Sequence, residues 1–370
     1  MKTDIVNILI IDNSIAFTGA FKCALNEAML LSHEHTFVFV IPGNSVLKPM
    51  LEEHGFTVYT LPMVEIRKSA SVLLKYFPAL YANTARLKKI IQKEGIDIVQ
   101  VNDFYNQLGV ALKRSGFKGK LFTYVRFLPS VMPGILRKMW LKAAAKHADK
   151  IIAVSDAVLE QLPIMPKTIR IYDPVQLSEV LPLRVTQSKN TVDILYLSNY
   201  IRGKGQDHAL EAFALAYRQN NSLRLKFTGG DMGLEKNRLF RRELEDKAKQ
   251  QGLPVTFATF NPNIEEEIKA ADIVLNCSEA ESFSMTCLET AFYGTALIAT
   301  RCGGPEEIIE DGTTGLLVPV GDIHAIADAL LTLANNPAEK EKMAEAGRAY
   351  VRTKFAPANF MRQFGTIINE

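Results

Sequence analysis

Two glutamates, Glu281 and Glu289, stand eight positions apart where a β-type run, Ile273 to Asn276, passes through a loop into a helical segment. On a continuous helix eight residues span about 12 Å, well beyond the roughly 5 Å at which two carboxylates share one bond in a double displacement. The pair is therefore suited to gripping different parts of one extended ligand through charge-assisted hydrogen bonds. The alternative is two surface acids at a helix start, where negative charge is favoured in any case. A second turn, Arg202-Gly203-Lys204-Gly205, follows the run Asp193 to Tyr200 and opens a helix near Gln206. Two cations and two glycines at a strand-to-helix turn suit a diphosphate, because backbone amides and the helix N-terminus add positive potential. Taken alone, such a turn is most often a solvated basic loop.

Such turns need strands to hold them. β-branched and aromatic runs alternate with segments of helical period, which predicts parallel sheets covered on both faces. Strands are expected at Asn7 to Ile11, Thr36 to Ile41, Thr57 to Leu61, Asp97 to Val101, Lys120 to Val125 and Lys150 to Val154. A second series follows at Asp193 to Leu197, Leu223 to Thr228, Pro254 to Thr259, Ile273 to Asn276, Ala296 to Thr300 and Gly315 to Val318. The fold class predicted is α/β, two Rossmann-like doubly wound domains facing across a cleft, rather than one eight-fold barrel. Residues 1–180 form the first domain, 181–350 the second, and 351–370 a C-terminal helix, around Asn359 to Ile368, that crosses back to the first. The polar stretch Gln176 to Asn190 reads as the linker.

The segment Glu279 to Asp322 resembles glycosyltransferase family 4, the retaining sugar transferases of GT-B architecture, whose hallmark is two glutamates with seven residues between them. Ser278, Glu281, Phe283, Glu289, Ala291, Gly294, Leu297, Ile298 and Ala299 match by type or position, as do Gly303 to Glu307, Asp311-Gly312, Gly315 to Pro319 and Gly321-Asp322. The resemblance implies that Glu289 binds the ribose hydroxyls of a nucleotide and Glu281 the transferred sugar. By the same resemblance Lys204 neutralises the leaving diphosphate, with Arg202 supplying the charge of a family arginine whose position is Asn199 here. Gly229, in the turn Thr228 to Asp231, and Phe260 with Asn261 correspond to turns near the nucleotide. Gly19 corresponds to a loop under the diphosphate, and Ser282, Phe283, Ser284 and Met285 line the donor. Ser282 and Ser284 replace two family glycines, and Cys277 and Ala296 replace prolines. Serine side chains narrow the room beside the donor, which predicts unusual donor identity or geometry.

On the acceptor side Arg126, in Tyr124-Val125-Arg126-Phe127, stands where family members often have a histidine. It lines the acceptor pocket, binds a phosphate, or makes a structural ion pair. Asn102 and Asp103 are further acceptor-side candidates. No Asp-x-Asp occurs in the chain, and the six histidines are scattered, so neutralisation by Arg202 and Lys204 replaces a metal, and neither a metal nor another cofactor is expected. The activity implied is transfer of a hexose from a nucleotide sugar, a UDP-sugar being favoured, to a glycan or lipid-linked acceptor. Synthesis of a bacterial cell-surface polysaccharide or glycoconjugate is the expected setting. A non-catalytic nucleotide-sugar or glycan-binding subunit is the rival reading. An NAD-dependent oxidoreductase is the weakest, since NSIAFTGA after the first strand lacks Gly-x-Gly-x-x-Gly.

Composition fits a protein acting in the cytoplasm: 48% apolar and 22% charged residues over 370 positions, with no signal-peptide pattern and no apolar run near the roughly 20 residues a membrane span needs. The four cysteines lack any CxxC spacing and read as buried thiols. The net charge of +3 is uneven. Residues 1–180 hold 22 Lys and Arg against 15 Asp and Glu, hence +7, and the remainder 21 against 25, hence −4. No nucleic-acid partner is expected. The positive half suits an anionic or membrane-anchored acceptor at the inner face of the plasma membrane. Part of its excess lies in Pro129 to Lys150, around the sole tryptophan, Trp140. That segment reads either as a membrane-surface helix or as a solvated helix with its apolar side in the core.

Overall fold

A computed structural model describes residues 5–64, 70–174, 190–261 and 263–370, which excludes the expected linker Gln176 to Asn190 but for its last residue. The chain divides into two units: residues 1–176 with 357–370, and residues 177–356. The first unit runs β1 (Asn7–Ile11), α1 (Gly19–Leu31), β2 (Thr36–Pro42), α2 (Lys48–Glu53), β3 (Thr57–Leu61), α3 (Ala70–Glu94), β4 (Ile98–Val101), α4 (Leu108–Arg114), β5 (Lys120–Val125), α5 (Gly134–His147), β6 (Lys150–Ala153), α6 (Asp156–Leu159) and β7 (Thr168–Arg170). The second runs β8 (Val192–Leu197), α7 (Gln206–Gln219), β9 (Leu223–Thr228), α8 (Glu235–Gln250), β10 (Val255–Ala258), α9 (Ile264–Ala270), β11 (Ile273–Asn276), α10 (Met285–Tyr293), β12 (Ala296–Thr300), α11 (Pro305–Ile308), β13 (Leu316–Val318), α12 (Ile323–Asn335) and α13 (Pro337–Lys354). The last helix, α14 (Pro357–Asn369), returns to the first unit.

Continuous apolar strands such as NILII and TFVFVIP have no polar face to offer water, so helices must cover both sides of each sheet. Every strand pairing is parallel, in the orders β3-β2-β1-β4-β5-β6-β7 and β10-β9-β8-β11-β12-β13. Each sheet reverses its winding once, between β1 and β4 in one and between β8 and β11 in the other. At such a point the loops leaving the two central strands diverge, and a crevice opens at their carboxyl ends. All twelve expected strands are present with small boundary shifts. β7 is a strand that composition does not announce: it is three residues long and, among the described residues, pairs only with β6.

α14 illustrates how amphipathic spacing docks a helix. Phe360, Phe364, Ile367 and Ile368 recur at helical period and are all buried. Phe364 meets Phe122 of β5 edge-on with ring centroids 6.3 Å apart and stacks on Phe360, while Lys120 Nζ donates to the Ile368 carbonyl at 2.5 Å. Truncating this fully enclosed ring removes apolar contact and leaves a cavity that the β5 strand cannot refill. Phe364→Ala is therefore expected to lower the stability of the first unit by about 3 kcal/mol, read from urea unfolding followed by circular dichroism.

Candidate active site

The reversal of the second sheet brings the two chemically suggestive turns together. β8 leads into Ser198 to Gly205, and β11 into Cys277 to Ser284. Gly205 has φ +77, and a Cβ there would lie 1.8 Å from the Cys277 carbonyl, so only glycine lets the first turn press against the second. Glu279 N donates to the Gly203 carbonyl at 2.9 Å. From beneath, the buried Tyr196 hydroxyl donates to the Lys204 carbonyl and accepts from Cys277 N at 2.9 Å. Burial, with the Cys277 thiol adding to it, pushes this phenol well above its ordinary range, so it keeps its proton and can donate.

What these contacts position is an ion pair. Lys204 Nζ donates to Glu281 Oε1 at 2.8 Å, and Ser278 Oγ donates to the same oxygen at 2.8 Å. Glu281 is fixed along its backbone too, accepting from Gly304 N and donating to the Cys302 carbonyl. Burial works against the Lys204 ammonium, but the charge and hydrogen bond of Glu281 outweigh it and hold the group above its usual value. The lysine stays one-third exposed. The N-terminus of the 14-residue α7 opens beside it and adds positive potential. Glu289 is buried on α10, one turn past the helix start.

Ser284 caps α10 with φ +77, a left-handed conformation that costs a serine where glycine would adopt it freely. Its hydroxyl accepts from Cys287 N at 3.4 Å and from Asn276 Nδ2 at 3.0 Å. The serine thus keeps the backbone a glycine would give and turns its side chain inward as a cap, rather than narrowing the loop. Phe283 departs from its expected place along the donor. Its ring is buried edge-on against Phe355 at 5.3 Å, and its backbone lies so close to Gly304 that a Cβ on that glycine would be 2.3 Å away. Ser282 and Met285 flank it at intermediate exposure.

The remaining expected residues divide clearly. Asn199 stitches turns together: Oδ1 accepts from Gly230 N at 3.0 Å and its carbonyl from Gln206 Nε2 at 2.8 Å. Gly229 must be glycine because a Cβ would meet the Ser198 carbonyl at 1.9 Å. Phe260 is half-exposed after β10. Arg202 lies away from Lys204, stacked 4.6 Å above Phe240 and paired with Glu243 on α8, with its side chain 62% exposed. Both contacts are with α8, so the turn points its two cations in different directions.

In the first unit the acceptor-side reading of Arg126 gives way to the structural one. Its side chain is 2% exposed and is held by Glu27 and Asp173, with Nε donating to Asn102 Oδ1 at 2.6 Å and the guanidinium 4.3 Å over Tyr124. Asn102 is buried as well and donates to Asp12 and to the Ala20 carbonyl. Gly19 starts α1, capped by Thr18, with open space where its side chain would be. Tyr196, Asp12, Glu27 and Asp173 escape sequence reading, because each acts through a partner far along the chain.

Residues 184–350 match the model of the glycosyl transferases group 1, and residues 28–165 that of glycosyltransferase family 4. The chain belongs to the group 1, family 4 glycosyltransferases. An alpha-1,3/1,6-mannosyltransferase of Dictyostelium discoideum is 31% identical over 213 residues, 53% of this chain and 49% of that protein. The chain thus spans about half the length of that relative. An N-acetyl-alpha-D-glucosaminyl L-malate synthase of Bacillus anthracis is 23% identical over 320 residues, 82% of each chain. The Anabaena HepE structure, in complex with UDP and glucose, superposes with a TM-score of 0.83 at 18% identity, covering 98% of this chain and 99% of that one. The fold of this glycosyltransferase is therefore GT-B.

Asp103 supplies a prediction about pH. Burial pushes its carboxyl up to about 8, against the Phe104 N–H, donated at 3.0 Å, and the Arg126 charge. The folded state then keeps a proton that the unfolded chain releases near pH 3.8, so stability falls as pH rises from about 4 to about 8. Asp103→Asn retains an acceptor for Phe104 and removes this part of the slope. Its stability relative to the native chain should be unchanged near pH 4 and rise to a plateau above about pH 8, measured by urea unfolding across that range.

Proposed function

We propose that this glycosyltransferase moves a hexose from a nucleotide sugar, a UDP-sugar by preference, to a glycan or lipid-linked acceptor with retention of anomeric configuration and without a metal. The observation that carries the reading is the 2.8 Å Lys204–Glu281 pair at the reversal point of the second sheet, beside the N-terminus of α7. Breaking the bond between anomeric carbon and phosphate leaves negative charge on the diphosphate, and in this reading the Lys204 ammonium with the α7 amides stabilises it. Glu281 accepts from the sugar hydroxyls, and Glu289 from the ribose. The HepE structure containing UDP and glucose supports a donor of this class.

In the proposed step the acceptor oxygen bonds to the anomeric carbon on the face the phosphate leaves, and the acceptor's proton passes to a phosphate oxygen. No double displacement is invoked, because Glu281 is already committed to Lys204 and Ser278, and Glu289 lies eight residues along the chain. Arg202 adds its charge if its exposed pair with Glu243 opens, a contact of the kind worth at most about 1 kcal/mol. A surface polysaccharide or glycoconjugate pathway suits the positively charged first unit.

A thermal-shift panel of UDP-, GDP- and ADP-sugars identifies the donor base by the largest rise in unfolding temperature. With that donor, Lys204→Ala and Glu281→Gln should each lower turnover by about 100-fold or more while leaving the unfolding temperature of the free protein within a few degrees. Full activity in either variant would refute the assignment. EDTA should leave the rate unchanged, and strict Mn²⁺ dependence would refute the metal-free step. Binding of a nucleotide sugar without hydrolysis or transfer would mark a binding subunit instead.

A further inference from the structure

The outer face of the first unit carries a feature that sugar transfer in the second does not use. α3 packs against α4 and α4 against α5 along one side of the sheet. Tyr76, in the second turn of α3, meets the Gln107 backbone at the start of α4, and Tyr105 packs on Trp140 of α5 at 6.4 Å, so the N-terminal part of α3 and the first turns of α5 flank the same end of α4. α5 buries Trp140 and Ala144 and turns Ile135, Lys138, Met139, Lys142 and Lys146 outward. Ile135 is 84% exposed, and Phe77 and Tyr81 on α3 are 67% and 82% exposed. Large apolar side chains presented this openly on neighbouring helices are not serving the unit's own core.

Charge is equally one-sided. α4 and α5 contain no acid, and α3 contains only Glu94, its final residue, already engaged by Tyr59 and Lys93. Among the described residues Arg137, Lys138, Lys142 and Lys146 have no carboxylate partner, and His147 nearby feels Lys146, Arg114 and Lys167 together, its pKa lowered first by burial and then by those cations. The α5 outer face therefore runs from apolar at its N-terminal end to basic at its C-terminal end.

We propose that this α3–α5 face docks the protein onto an anionic bilayer surface. Ile135, Met139, Phe77 and Tyr81 would enter the boundary between headgroups and acyl chains, where aromatic and aliphatic side chains gain most, and the lysines would reach to lipid phosphates. A polyanion without an apolar layer leaves Ile135 and Phe77 unexplained. A second copy of the chain would set lysines against lysines across a two-fold axis, which Coulomb repulsion opposes. No described helix is long and apolar enough to cross a membrane, so contact of this kind lies on the surface.

The test is co-sedimentation of the full chain with vesicles of phosphatidylcholine alone and of equal parts phosphatidylcholine and phosphatidylglycerol, with no sugar donor present. Failure of the docking is thereby separable from failure of the transferase reading. The protein should sediment with the phosphatidylglycerol vesicles, release at high salt, and ignore the neutral ones. Lys138→Glu with Lys142→Glu should weaken partitioning about tenfold or more, and Ile135→Asp with Tyr81→Asp should abolish it, with thermal unfolding unchanged in both. Absence of sedimentation, equal sedimentation with both vesicles, or native binding by both variants overturns the proposal. So does a dimer in solution that Ile135→Asp converts to monomer.

Discussion

An ammonium and a carboxylate held at 2.8 Å in a turn that stays partly open to solvent cannot be left to two flexible side chains; the backbone beneath must be fixed first. Here that is achieved by a contact without side chains. Gly205 lies so close to the Cys277 carbonyl that the β8 and β11 turns are locked together, and Tyr196 closes the same junction from inside the unit. β8 and β11 pair side by side while the chain leaving them winds to opposite sides of the sheet, so the pair sits at the carboxyl-end crevice of the reversal. The proposed chemistry depends on this arrangement, and Asn199, Ser284 and Gly229 all serve the geometry of the turns around it.

The corresponding reversal in the first unit is put to another use. Arg126, Glu27, Asp173, Asn102 and Asp12 form a buried, mutually hydrogen-bonded network across the ends of the central strands. Two carboxylates against one guanidinium leave a deficit of positive charge, and burial, partly countered by Arg126, pushes Glu27 up to about 7. Such a network is costly if any member is removed, since a buried charge would be left without its partner. It fixes the loops on that side rather than presenting charge to a ligand. The positive charge that the proposed membrane contact would use lies instead on α5.

Much of this was legible in the sequence, for a physical reason. Strands covered on both faces must be continuously apolar, and such runs stand out, so their number and order could be read directly. The glutamates and the Arg202 to Gly205 turn were visible because they stand at strand-to-helix turns and, for the glutamates, inside a long segment that resembles a family pattern. Side-chain direction was not visible. Arg126 finds Glu27 and Asp173 at 99 and 47 residues' separation, Phe283 turns to Phe355 far along the chain, and Arg202 turns to Glu243. β7 is illegible because three residues at a sheet edge carry no periodicity.

The most direct test of the central claim is calorimetric titration of the native chain and two variants with the preferred nucleotide sugar and with its free nucleoside diphosphate. If Lys204 grips the diphosphate and Glu281 the sugar, Lys204→Ala weakens both ligands by about tenfold or more. Glu281→Gln then weakens the nucleotide sugar by a similar factor while the free diphosphate still binds. Native affinity for both ligands in both variants would contradict the account.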